Sequence, residues 1–201
     1  LGSRTENDVH CGTMGDMGVF SFGAPKIITT GQGGCIVTNN KEYSDEIVAI
    51  KNFGRTVKVG EVYNVMGLNF KFTDLQASFG IPQMKKLPFI MLHKKQLFRW
   101  YKKHLKNKVD FIQTDLDHVT PTYPEILVSK RDKLVEELRA EKIGCRAVYD
   151  SLCNQPFHSK WKTATPVTDE LASRGLHLPA QFDLREEDVK KICDVIKNHA
   201  A

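Results

Sequence analysis

The chain has 201 residues, 41% hydrophobic and 26% charged, a balance too apolar for a disordered tail and sized for one domain or a large lobe with a small one. No apolar run approaches the roughly 20 residues of a membrane span and no basic-then-apolar start marks a signal peptide, so a cytoplasmic protein is expected. The net charge of +5 is local: seven bases and no acid lie from His93 to Lys108, and without them 22 bases face 24 acids.

Taken in chain order, the first quarter predicts strands and tight turns. Gly18 to Phe22 is a short strand, followed by a Gly-Ala-Pro turn and the β-branched run Ile27-Ile28-Thr29-Thr30; Gly31 to Gly34 then turn the chain into a second strand, Cys35 to Thr38. Asn39 or Asn40 caps a helix from about Glu42 to Asn52, and the aperiodic, glycine-bearing stretch 54–68 is a loop. Thr73 with Gln76 forms a capping box that opens a helix through Met84, which Pro82 should kink or interrupt, while Pro88 suits the first turn of a separate basic helix. In that basic stretch Leu97, Phe98, Tyr101 and Leu105 recur at helical spacing, so its lysines are expected to form the wet face of an amphipathic helix rather than a nucleic-acid patch.

From about residue 110 helix and strand alternate: a strand at Ile126–Val128, a helix from Arg131 to Lys142 ending at Gly144, and a strand at Arg146–Tyr149. A short helix from Thr168 to Arg174 closed by Gly175, a strand at Leu176–Leu178, and a last helix to about Asn198 capped by Asp183 with Glu186 complete it. The predicted division is 1–108, part of a larger domain with its connecting helix, and 109–201, a small C-terminal α/β domain. In the first part little is available to cover the strand faces, and the chain opens at Leu1 without Met, so that domain is expected to begin before Leu1. Five cysteines, an odd number with no Cys-x-x-Cys pair, together with scattered histidines, give no metal site or disulfide framework.

The chemistry concentrates in Gly15-Asp16-Met17-Gly18-Val19-Phe20-Ser21-Phe22-Gly23-Ala24-Pro25-Lys26 and the run through Gly34. A hydroxyl at a strand end beside turn amides is a phosphate ligand, and a lone lysine among small and apolar neighbours is suited to carbonyl chemistry once burial strips its hydration. From the residues alone, a β-hairpin with a solvated lysine is the favoured reading. Asp16 has the setting of a turn residue.

This block resembles the DegT/DnrJ/StrS family of sugar-nucleotide aminotransferases, enzymes of fold type I that use pyridoxal phosphate (PLP). Gly67-Leu68-Asn69-Phe70-Lys71-Phe72-Thr73-Asp74-Leu75-Gln76-Ala77, Gln83-Met84-Lys85-Lys86-Leu87 and Leu178-Pro179 extend the resemblance along the chain, with the perosamine-synthase-type branch the nearest in texture. The resemblance implies an α/β fold, part of the large PLP domain followed by a small domain. It implies transfer of an amino group, from glutamate, to a nucleotide-linked keto-sugar. By position, Lys26 is the lysine that holds PLP and moves the proton, Ser21 binds its phosphate, and Asn69 reaches the phosphate in the neighbouring subunit, which makes a homodimer with shared sites. The aspartate that pairs with the pyridine nitrogen, the ring-stacking residue and a glycine-containing phosphate loop would lie before residue 1.

Two positions depart from the family's pattern. Gln32 stands where many members have glutamate, and Cys153 where many have a histidine near the sugar nucleotide; His158 has the setting of a surface-loop residue. A dehydratase of the same family is the second enzyme reading, against which Lys26 stands, because the best-known dehydratases carry histidine there. A non-catalytic remnant with a dimerisation or binding role is the third.

Overall fold

A computed structural model describes residues 1–56 and 60–200 of the chain, which form two compact units. The first holds Leu1–Met91 with Asp117–Thr120, the second Leu92–Leu116 with Pro121–Ala201.

In the first unit β1 (Gly18–Ser21) pairs antiparallel with β2 (Gly34–Val37), in the register Gly18 opposite Val37 and Ser21 opposite Gly34. Helix α1 (Lys41–Lys51) starts where expected: Asn40 is its cap, its Oδ1 accepting from the amides of Glu42 at 2.8 Å and Tyr43 at 3.3 Å. The stretch 54–68 forms neither helix nor strand where described; its residues 57–59 lie outside the described set.

Helix α2 (Asp74–His104) opens on the predicted capping box, with Thr73 Oγ1 accepting from the Gln76 amide at 3.2 Å and Gln76 Oε1 from the Thr73 amide at 3.1 Å. It does not stop at Met84. One 31-residue helix runs through both Pro82 and Pro88, so the expected interruption and the separate basic helix are corrected. The prolines and the residues four before them, Ser78 and Met84, are exposed, so water can satisfy the carbonyls that lose their helical donors.

The second unit carries a four-stranded sheet of β3 (Asp110–Phe111), β4 (Glu125–Leu127), β5 (Arg146–Ala147) and β6 (Gly175–His177), in the order β3-β4-β6-β5 with every neighbouring pair antiparallel. Helices α3 (Arg131–Ala140), α4 (Pro166–Arg174) and α5 (Glu186–Ala200) complete it, so helix and strand alternate as predicted; β3 and two short 3-10 segments, Leu152–Asn154 and Pro156–Trp161, are additions. The cap of α5 also differs: Asp188, not Glu186, reaches back to an amide, that of Arg185, at 3.0 Å.

The core of this unit joins Leu134 and Leu138 of α3, Ile126 of β4, Leu176 of β6, and Val189, Ile192, Cys193 and Ile196 of α5. Leu97 and Tyr101 of α2, with Leu105 just after it, belong to the same cluster, and the Tyr101 hydroxyl donates to the Pro179 carbonyl at 3.0 Å. These three residues tie the last turns of α2 to the second unit, whose first segment begins at Leu92. Burial pushes the Cys193 thiol up to about 12, the mark of a packing residue rather than a nucleophile. The basic face is wet at Arg99, Lys102, Lys103, Lys106 and Lys108, while Lys94 turns in and donates to the carbonyls of Thr122 at 3.0 Å and Ala180 at 2.7 Å.

Burial is unevenly shared. Among the described residues of the first unit only Ile28 and Ala49 are buried apolar side chains, and Val19 and Ile36 on the two strands are 73% and 48% exposed. The strand faces lack cover within the described residues, as the sequence led us to expect.

Candidate active site

The predicted serine and lysine lie on one loop that leaves β1 and returns to β2. Its base is closed by the Phe22 amide donating to the Gly33 carbonyl at 2.8 Å and the Thr30 amide donating to the Phe22 carbonyl at 3.0 Å. Gly23 links the two residues: its amide donates to Ser21 Oγ at 3.3 Å, and its carbonyl accepts from the Lys26 amide at 3.1 Å. Ser21 is exposed and its Oγ accepts one bond, which leaves its O–H available as a donor to an anion.

Lys26 is exposed, and among the described residues no hydrogen bond or ion pair holds its ammonium. The desolvated setting expected for it is therefore not formed by this part of the chain. The segment that follows is tightly held: Thr29 Oγ1 donates to the Phe22 carbonyl at 3.0 Å, and Thr30 Oγ1 donates to the Gln32 carbonyl at 2.7 Å. Gly33 has φ +133°, which an L side chain rarely adopts, and a Cβ there would collide with the Phe72 ring. That ring also meets Phe22 edge-on, with centroids 6.4 Å apart.

Asn69 lies on a different segment, bridged antiparallel to Asn52 at the end of α1; it is exposed, and its Oδ1 accepts from the Lys71 amide at 3.4 Å. Among the described residues no hydrogen bond joins it to the Ser21–Lys26 turn. Asp16 serves through its main chain, its carbonyl accepting from Thr38 Oγ1 at 2.7 Å, as befits a turn residue. In the second unit Cys153 sits in a 3-10 turn, with its amide on Ser151 Oγ at 3.2 Å, and His158 is half-buried beside the rings of Phe157 and Trp161. Sequence reasoning missed Gln83, whose side chain holds Thr29 by both its main-chain groups; the signal lay in the helical spacing of Gln76, Gly80 and Gln83.

Residues 1–197 match the model of the DegT/DnrJ/EryC1/StrS aminotransferase family. The GDP-perosamine synthase of Escherichia coli O157:H7 is 30% identical over 192 residues, which cover 93% of this chain and 52% of that protein. A UDP-4-amino-4,6-dideoxy-N-acetyl-beta-L-altrosamine transaminase of Helicobacter pylori is 33% identical over 208 residues, covering 96% and 54%. Among solved structures, a DegT DnrJ EryC1 StrS aminotransferase from Brucella abortus aligns with a TM-score of 0.89 at 27% identity, over 98% of this chain and 54% of that one. The chain spans about half the length of the curated relatives it matches.

Proposed function

Because the chain belongs to the DegT/DnrJ/EryC1/StrS aminotransferase family, we propose that the protein of which it is part is a PLP-dependent aminotransferase acting on sugar nucleotides. It transfers an amino group, from glutamate, onto a keto-sugar carried by a nucleotide, in the cytoplasm. The observation that carries this reading is the family match across residues 1–197, in which Lys26 and Ser21 occupy one pinned loop.

The residues present fit the cofactor. Ser21 offers an exposed hydroxyl for a phosphate, and Lys26 offers a primary amine with no competing partner among the described residues. When bound, PLP supplies an aldehyde with which amines condense and a ring that draws electrons away from the reacting carbon. Lys26 Nζ, when neutral, would be the base that carries the proton between the substrate carbon and the cofactor carbon. Ser21 orients the phosphate and so fixes how far the aldehyde stands from Lys26.

Amine transfer is tested by incubating the intact protein with isotope-labelled glutamate and keto-sugar nucleotides. A labelled amino sugar is the expected product; deoxygenated sugar without nitrogen would identify a dehydratase instead.

Asn69 acts on the phosphate of a second copy's site, so each complete centre draws on two chains. Lys26→Ala and Asn69→Ala proteins, each defective alone, should recover about one quarter of the wild-type activity when unfolded and reassembled together in equal amounts, since half of the dimers then hold one intact centre. No recovery in the mixture would show that Asn69 serves only its own chain.

A further inference from the structure

Gln83 makes more main-chain contacts with the lysine loop than any capping or packing role on α2 requires. Its Oε1 accepts from the Thr29 amide at 3.0 Å, and its Nε2 donates to the Thr29 carbonyl at 2.5 Å, so one side-chain amide pairs with a residue much as a neighbouring strand would. Nε2 also donates to the Phe79 carbonyl of its own helix at 3.0 Å, which holds the side chain in position before the loop meets it. The pair is partly buried, where water competes poorly for these groups.

Two more residues on the same helix face point to the same segment. Gln76 Nε2 donates to the Gln32 carbonyl at 3.2 Å. Gly80 lies between them, and a Cβ there would stand 3.0 Å from Thr30 Cγ2, so the helix backbone comes close to the loop. A glycine inside a helix costs about 1 kcal/mol relative to alanine, and close approach to Thr30 gives it a reason to be there. Residues 76, 80 and 83 follow the four-then-three spacing of a single helical stripe.

We propose that this stripe of α2 is a splint for the loop after Lys26, and that Gln83 is a positioning residue for the Lys26 amine. The proposal rests on the reading of Lys26 given above. Lys26 lies between two fixed points, the Gly23 turn and Thr29, and loosening Thr29 widens the range of positions open to the amine.

The test uses the intact protein and its Gln83→Leu, Gln83→Glu and Gln76→Leu variants. Three readouts are taken: exchange of the Thr29 amide, tryptic cleavage after Lys26, and the rate at which borohydride fixes a pyridoxyl group on Lys26 at limiting PLP. In Gln83→Leu, Thr29 exchange and tryptic cleavage rise about tenfold, the value of one lost hydrogen bond, and pyridoxyl fixation falls by a similar factor. The Ile192 amide, in the core of the second unit, keeps its wild-type protection and reports an intact fold. Gln83→Glu near pH 8 keeps an acceptor for the Thr29 amide but sets a carboxylate against two carbonyls, so Thr29 exchange falls between wild type and the leucine variant. Near pH 3.5, below the ordinary glutamate value of about 4.3, the protonated acid regains a donor, and exchange returns toward wild type after correction for the intrinsic rate. Gln76→Leu gives a smaller change of the same sign.

Unchanged exchange and cleavage in Gln83→Leu would overturn the splint whatever the cofactor does. A loosened loop with undiminished fixation on Lys26 would overturn the positioning role alone. If the wild-type protein takes no pyridoxyl on Lys26, the reading of Lys26 falls and the positioning role with it, while the loop measurements still report the splint.

Discussion

Replacing Lys26 by alanine in the intact protein should reduce amine transfer by about a thousandfold or more, the range seen when a positioned proton carrier or covalent group is removed. The side chain stands on a turn fixed by its own amide on the Gly23 carbonyl, and among the described residues nothing else competes for its ammonium. Lys26→Arg should be as inactive, because a guanidinium does not shed its proton at accessible pH. The accompanying physical check is borohydride reduction in the presence of PLP followed by peptide mapping. The pyridoxyl mass belongs on the peptide containing Lys26 and should vanish in both variants. A label on another lysine would overturn the assignment, with the family membership left intact.

The largest expected loss of stability comes from the second unit. Leu138 is fully buried on α3, one turn after Leu134, in the cluster that includes Ile126, Leu176 and Ile196. Leu138→Ala removes buried surface and leaves a cavity between three elements, at a cost of about 3 kcal/mol. For a unit of this size that lowers the melting temperature by roughly 15 °C. Calorimetry of the variant beside wild type checks it, and a change under about 3 °C would mean the site collapses around the smaller side chain.

What the sequence disclosed depended on how local the cause was. Asn40 and the Thr73–Gln76 box fix helix starts through bonds spanning two or three residues, and both appear as predicted. The periodicity of Leu97, Phe98, Tyr101 and Leu105 showed the buried face of α2, and all four are buried. Pro82 and Pro88 misled because a proline's effect depends on what its helix packs against. Here the residues that carry the freed carbonyls, Ser78 and Met84, are exposed, and the far end of the helix is anchored by Leu97 and Tyr101 in a core. The cap of α5 was placed two residues early because Asp183, Glu186 and Asp188 offer overlapping patterns, and only Asp188 reaches a free amide. Sheet order was beyond reach, since β6 enters between β4 and β5 through pairings distant in sequence.

At the candidate site the resemblance placed Ser21 and Lys26 on one loop, and the Gly23 link between them became visible only in three dimensions. The exposure of Lys26 agrees with the solvated hairpin that the residues alone favour, whereas the desolvated setting depends on neighbours rather than on the motif. Gln83 is 54 residues from Thr29, and its role needed the helix to be seen against the loop.

The unequal sharing of buried side chains has a temporal side. Synthesis proceeds from the amino end, so the portion with Ile28 and Ala49 as its described buried apolar chains leaves the ribosome ahead of the portion with the larger core. At about 5–20 residues per second, the next hundred residues take on the order of ten seconds to make, and the core that joins Leu134, Leu138 and Ile196 closes only after that interval. During that interval the nascent chain is a ready client for a holding chaperone, and yield in a host would track chaperone supply more closely than it tracks the melting point of the finished protein.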